Sequence, residues 1–445
     1  ICNGNARTNG SFDLGPYHPV VNGKPRFESS NGSDLIGYID DNGDGQYNNQ
    51  DGGIFAWDDI SGTPSNSGSP ADLYQGNKGT NPNFDIDQVP MPNLTNLDVY
   101  EEKAKTEGSI KIDGVTICDG VWGDDEGKQH LYLEGTYDKP VEIEGTIVVR
   151  GDLVIRGYVT GQAAIFCGRN IYLPQRLLYK NMVSNKQPSN NSESSRENWR
   201  ETNKDADLIG LFAREHIVVG DYTNYWWQRY VRGWVNDSLN KSKEDAGLDQ
   251  IPNTGDEGED DGQWSVVLDG EGNPIPGTGE DIDGDGVFDD TTQMSEFNVS
   301  SSSFYTGHSD WGGNIPDGVA NFNDITYWDE STDGPGVGSG SQKLPQINGF
   351  LYTNHFLGGY FANAGGYNYK DDNRGHYTND DSIIFFGSII SRNESLIYNA
   401  SKLYFYHDDR LSADGGKTFD FEMPQVWRDL SKVAVEFEQV YPSSE

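Results

Sequence analysis

Between residues 140 and 161 the chain reads PVEIEGTIVVRGDLVIRGYVTG, and its apolar positions keep a six-residue beat. Val141, Ile147, Leu153 and Val159 form one series, Ile143, Val149 and Ile155 a second, and Gly145, Gly151 and Gly157 share the step. Alternation of period two inside a repeat of six suits short strands that send apolar side chains into one interior. Glycine then sits at the corners, where the backbone turns sharply or passes close to another strand. The pattern predicts a β-solenoid of stacked rungs, with a tight β-meander as the alternative. The runs QAAIFCGRNIYL (162–173), LIGLFAREHIVVG (208–220), GFLYTN (349–354) and DSIIFFGSIISRN (381–393) are short, β-branched or aromatic, and read as further rungs.

Two segments carry a helical period instead. NLDVYEEKAKTEG (96–108) has a capping residue, acids early, lysines late and a closing glycine, the order that a helix dipole favours. Near residues 222–239, Trp226, Tyr230 and Trp234 stand four apart beside Trp227, Val231, Val235 and Leu239, which makes one broad apolar face. Such a stripe can serve as an aromatic platform for sugar rings. Burial against a β-wall or across a solenoid edge is the commoner fate.

Composition agrees with many short strands. Only 34% of the 445 residues are hydrophobic while 55 are glycine, a thin apolar supply with a rich supply of turns. The expected fold is therefore mainly β: a short parallel β-helix or β-solenoid core with loop insertions and a few short helices. Residues 1–36 and 346–445 are expected to supply β segments of that core, and residues 93–243 its helix and main body. Residues 37–92 and 244–345 read as insertions. No stretch approaches the roughly 18 to 20 apolar residues of a transmembrane helix, so no direct membrane insertion is expected. The opening ICNGNARTNGSFDLG lacks the regions of a signal peptide, which suggests a mature or trimmed ectodomain.

Charge sharpens the picture. With 71 acidic against 32 basic residues the formal charge is −39, which repels phosphate backbones and anionic lipids, so nucleic acid is a poor partner. Residues 244–342 hold 23 Asp or Glu and no Lys or Arg. A segment of that kind either stays unfolded or is ordered by a cation the sequence does not encode.

Three loops are suited to calcium, which takes six to eight hard oxygen ligands. In the first, counting Asp40 as position 1, Asp40, Asn42, Asp44, Asn48 and Asp51 supply side-chain oxygens at 1, 3, 5, 9 and 12. Gln46 gives its carbonyl at 7 and Gly45 allows the sharp turn at 6. The aspartate at position 12 resembles dockerin-type loops. In the second, Asp281, Asp283, Asp285 and Asp289 take positions 1, 3, 5 and 9, Val287 gives a carbonyl at 7, and Thr292 stands where the bidentate acid is usual. It looks like thrombospondin type 3 repeats. The third is a degraded version with Asp310, Asn314, Asp317, Asn321 and Asp324. Solvated acidic turns are the competing reading, because Asp, Asn and Gly are ordinary turn residues. Extracellular calcium modules bind at about 10⁻⁴ to 10⁻³ M, which suits the outside of a cell.

Enzyme signatures are sparse: the chain has no GxSxG, HExxH, Walker or Rossmann pattern. The enzyme alternative is a calcium-dependent polysaccharide lyase of the β-helix kind, with Arg150 and Arg156 six apart on successive rungs. Arg150, Gly151 and Asp152 also spell a tripeptide that some adhesion receptors read. The three cysteines, Cys2, Cys118 and Cys167, allow one disulfide at most, and buried free thiols are the simpler expectation.

Several phrases taken in order, GNARTNGSFDL, VVRGDLVIRGYVTGQAAIFCGRNIYL, LIGLFAREHIVV, GSIISRN and YFYHDDRLS, resemble the ectodomains of PilX-like, type IV pilus-associated proteins of bacteria. That resemblance implies a hydrophobic N-terminal anchor, a solenoid-like ectodomain and a role in pilus assembly, filament structure or adhesion. No hydrophobic helix precedes this ectodomain in the sequence as it stands. The expected partners are other filament subunits, itself included, and surface ligands. A viral tail or spike fibre shares the same features and is the third alternative.

Overall fold

The computed structural model describes residues 92–220 (except 93, 95–96, 124–129, 175, 187 and 190–191), 262–266, 311–315, 346–360 (except 355), 382–391, 395–398 and 402–411. It adds residues 245, 272 and 423–424 and isolated short strands elsewhere. The architecture is mainly β, and its parallel sheet closes into a barrel-like ring of six strands.

Among the described residues the main sheet has nineteen strands. In chain order they begin with β1 (Cys2–Asn3) and β2 (Val21–Asn22), then after helix α1 (Asp98–Glu107) come β3 (Ser109–Ile112), β4 (Val115–Cys118) and β5 (Val121–Trp122). The body follows as β6 (His130–Gly135), β7 (Val141–Val149), β8 (Leu153–Thr160), β9 (Gln162–Cys167), β10 (Ile171–Leu173) and β11 (Leu177–Tyr179). After helix α2 (Glu193–Asn203) come β12 (Leu208–Ala213), β13 (Ile217–Gly220) and β14 (Trp311–Gly313). The last are β15 (Gln346–Thr353), β16 (Leu357–Tyr360), β17 (Ser382–Ser391), β18 (Ser395–Tyr398) and β19 (Lys402–His407).

Hydrogen bonding sorts these strands into three ladders. The first runs β5, β7, β9, β12, β15, β17, all parallel. The second runs β14, β6, β8, β10, β13, β16, β18, also parallel. The third passes through β7, β8, β11, β15, β17, β19, β1 and β2 by way of the long strands shared with the other ladders. It opens with an antiparallel hairpin, β3 and β4, laid on β7. Strands β7, β8, β11, β15, β12 and β9 close the ring.

The six-residue beat has a geometric meaning that differs from the one expected. Paired residues lie eighteen apart: Val141 beside Val159, Ile147 beside Ile165, Leu153 beside Ile171. One beat therefore carries the chain from one ladder to the next, and three beats bring it back above itself. Arg150 and Arg156 are accordingly not stacked. Arg150 follows β7 on the first ladder, and Arg156 pairs with Glu134 on the second.

The inward side chains make a continuous core that includes Val141, Ile147, Leu153, Ile165, Ile171, Leu211, Ile217, Leu351 and Leu357. Gly145 and Gly157 turn corners at φ 66° and 81°, a region that other residues occupy only under strain. Gly151, the middle glycine of the series, makes its bend without a positive φ.

The outward side of the first ladder is apolar too. Val148, Phe166, Phe212 and Tyr352 lie in one column, and Leu94, Tyr100 and Ala104 cover it. The Tyr100 and Phe166 rings stack at 3.8 Å, and Phe166 and Phe212 meet at 5.0 Å. Helix α1 is thus held by the ladder beneath it. Its N-cap is Leu97, which makes no side-chain capping bond, so the expected cap is not what starts it; Gly108 ends it by donating to the Ala104 carbonyl at 2.9 Å. The stripe at 222–239 lies outside the described residues.

Candidate functional site

Of the sixteen residues expected to bind calcium, fifteen lie outside the described residues: Asp40, Asn42, Asp44, Gln46, Asn48, Asp51, Asp281, Asp283, Asp285, Val287, Asp289, Asp310, Asp317, Asn321 and Asp324. Asn314 is described, directly after β14. Its Oδ1 accepts from the Glu134 amide at 3.0 Å, its Nδ2 donates to the Glu134 carbonyl at 2.5 Å, and its own amide donates to the Tyr132 carbonyl at 3.2 Å. The side chain copies a strand's hydrogen bonding and extends the pairing of β14 with β6. Among the described residues no group of three or more His, Cys, Asp or Glu side chains is arranged to hold a metal ion.

This seam is where the long insertion after β13 rejoins the framework. Beside it, Arg156 donates to the Glu134 carboxylate from Nε at 2.9 Å and from Nη2 at 2.6 Å, and the Tyr132 hydroxyl donates to the same oxygen at 3.0 Å. Arg150 is engaged as well, with Nε and Nη2 at 3.0 and 2.8 Å from Glu101 of α1. Both arginines considered for lyase chemistry are therefore bound by carboxylates.

A buried polar column marks the corner before the second ladder, where His130, Asp152, Asn170 and His216 occupy equivalent positions on successive strands. The first three side chains each accept the backbone amide of the next member of the column. His130 Nδ1 takes the Asp152 amide at 2.8 Å, Asp152 Oδ1 the Asn170 amide at 3.0 Å, and Asn170 Oδ1 the His216 amide at 3.1 Å. Nδ1 of His130 also lies 3.2 Å from the Asp152 carboxylate. Asp152 is 1% exposed, so the Arg150-Gly151-Asp152 tripeptide cannot present its carboxylate to a receptor.

Among the described residues the densest charge cluster was not foreseen in the sequence. Arg196 and Arg200 of α2 converge on Asp409, with Arg196 Nε and Nη2 at 2.9 and 2.6 Å and Arg200 Nη1 at 2.8 Å. Arg410 binds Asp408 through Nε at 3.0 Å and Nη2 at 2.6 Å, and also donates to the carbonyls of Asn203, Ala206 and Asp207. Both aspartates and Arg410 are at most 1% exposed. The residues belong to HDDR, inside a phrase already noted for its resemblance. Their role is to tie α2 to the end of β19.

Cys118 and Cys167 are free and buried. Burial, helped by Asp119, pushes the Cys118 thiol up to about 12, and burial raises that of Cys167 well above its ordinary range. At pH 8 a thiol at about 12 carries roughly a thousandfold less thiolate than an ordinary cysteine. Iodoacetamide is therefore expected to leave both residues unmodified in the native protein and to label them in urea, as read by peptide mapping. Rapid native labelling at either position would contradict the burial.

Among the described residues no helix is long and apolar enough to cross a membrane. No protein-family model matches the chain, and searches of curated proteins and of solved structures return no similar protein.

Proposed function

We propose that this protein is an exported, calcium-stabilised structural or adhesive component of the cell surface, a subunit of a pilus-like filament or associated with one. Its three ladders act as the faces of a short β-solenoid, and its insertions carry the contacts to other subunits and surface ligands. The observation that supports this best is the anchoring of the cation-free segment 244–342 on the second ladder, where β14 within it pairs with β6. An acidic segment fixed to a framework in this way cannot disperse its charge as a free tail would, and bound calcium is the economical neutraliser. The carboxylate-bound state of Arg150 and Arg156 favours this reading over the lyase.

The test combines metal analysis with melting and proteolysis of the full chain. At millimolar calcium each occupied extracellular-type site adds of order 1 kcal/mol, so a chelator is expected to lower the melting temperature and to open residues 244–342 to protease. Calcium-free protein with unchanged melting and cleavage would sink the proposal. Release of unsaturated products from uronic-acid polymers would favour the lyase, and imaging of the native particle separates filament, fibre and monomer.

A further inference from the structure

Arginine is unevenly spread over the framework. Within residues 92–220 and 402–411, Arg156, Arg176, Arg196, Arg200 and Arg410 are buried, and the three arginines that reach the surface, Arg150, Arg169 and Arg214, share one corner. Val149, Cys167 and Ala213 pair in register just before that corner, and Leu153, Ile171 and Ile217 pair just after it. The corners 150–152, 168–170 and 214–216 therefore stack on successive strands, each about 4.8 Å from the last. Gly168 permits this close approach, since a Cβ there would collide with the Arg150 carbonyl oxygen. The three arginines thus stand in a file about 10 Å long at the backbone.

The guanidinium groups are engaged within the chain and still partly open, with the Arg150 and Arg169 side chains each 39% exposed. Arg150 shares Glu101 with Lys105, which stands 2.9 Å from the second oxygen. Arg169 Nε lies 3.6 Å from Glu215 and 3.9 Å from Asp152, both longer than a hydrogen bond. A guanidinium carries five N–H donors in a planar fork, more than one carboxylate can take. Among the described residues this corner gathers four cations, Arg150, Arg169, Arg214 and Lys105, against three carboxylates, Glu101, Glu215 and the buried Asp152. The whole chain has the opposite balance, 32 basic to 71 acidic.

We propose that this corner binds an acidic glycan, a surface polysaccharide whose sugars carry carboxylates. Arginine grips a carboxylate with two parallel N–H bonds, and a file of such forks suits charges repeated along a polymer better than one small anion. Nucleic acid fits worse, because a duplex carries one charge per about 1.7 Å and meets the full repulsion of a chain at −39. For a sparser polymer at physiological salt, charges more than about 8 Å away are largely screened, so the local cations decide. The inference rests on the adhesive reading above and gives it a ligand class. It involves no chemical step.

Fluorescence polarisation of labelled polygalacturonate oligomers with the full chain, at fixed calcium and about 0.15 M salt, tests this. The parent is expected to bind the acid form, and to bind the uncharged methyl-esterified form about tenfold more weakly or worse. Arg169→Ala with Arg214→Ala is expected to weaken binding by about tenfold or more while the melting temperature stays at the parental value. Arg169→Lys with Arg214→Lys keeps the charge and loses the fork, so its affinity is expected to fall between the two, and it decides the case if the alanine pair does not fold. No binding by the parent, equal binding of the esterified polymer, parental affinity in either variant, or tighter binding of polyglutamate or duplex DNA would overturn the proposal. The two readings fail separately, because chelator melting and particle imaging judge the calcium-stabilised filament while polymer binding judges this corner.

Discussion

Asp409→Ala is expected to destabilise the protein by about 3 to 5 kcal/mol, because it strands two buried guanidinium groups that now share one carboxylate. The loss arises less from the pair's own strength than from the desolvation of Arg196 and Arg200, which are 6% and 4% exposed and both lose the carboxylate they now share. Removing the whole cluster by Arg196→Met, Arg200→Met and Asp409→Leu is expected to be far milder, since no charge is then left unpaired. Urea denaturation of the single and triple variants measures the contrast. A single variant as stable as the parent would mean that water reaches the arginines and that α2 is not locked to the end of β19.

Gly157→Val is expected to be of similar size, about 3 to 5 kcal/mol. Gly157 has φ 81° and pairs with Gly135 of the neighbouring strand, and a Cβ there would fall inside the contact distance of the Gly135 carbonyl. Conformational strain and collision act together. Gly114 separates them, because it has φ 75° in the β3–β4 turn but open space where a Cβ would go. Gly114→Ala should therefore lose only the strain, about 1 to 2 kcal/mol. If urea midpoints fell equally for the two variants, the close approach of β6 and β8 would not be what requires glycine at 157.

The repeat in residues 140–161 made the strands, the inward residues and the parallel stack legible, because side-chain alternation and corner glycines are local properties. What it left open was which residue stacks on which. A beat of six is compatible with rungs of six, and only the pairing of Val141 with Val159 reveals three beats per circuit. Helix α1 announced itself through its charges, whereas α2 did not. Its sequence, ESSRENWRETN, offers Trp199 as its one large apolar residue, and it is buried through Arg196, Arg200 and Asn203. Hydrophobic periodicity is blind to a helix that packs through ion pairs. Its start was readable all the same, since the Ser192 side chain caps the Ser195 amide. The β3–β4 hairpin was also readable from Asp113-Gly114, where both residues take positive φ as a two-residue hairpin turn requires.

The HDDR cluster was hidden for a different reason. Asp409 meets residues more than two hundred positions earlier in the chain, and no local pattern encodes a partner at that distance. Asn314 is the reverse case. Its place among acidic residues suggests a metal ligand, and its amide also meets the Glu134 backbone. An asparagine satisfies a strand edge and a cation with the same oxygen, so composition alone does not separate the two roles.

The pairing of Cys2 with Phe405 puts the first strand next to one made some four hundred residues later. β1 can meet β2 as soon as both are made, but its other edge waits for residues 402–407, so this part of the third ladder is closed late. Contacts of such long sequence separation slow folding. The short pair of β1 and β2 would gain full protection from amide exchange only when β19 arrived beside it.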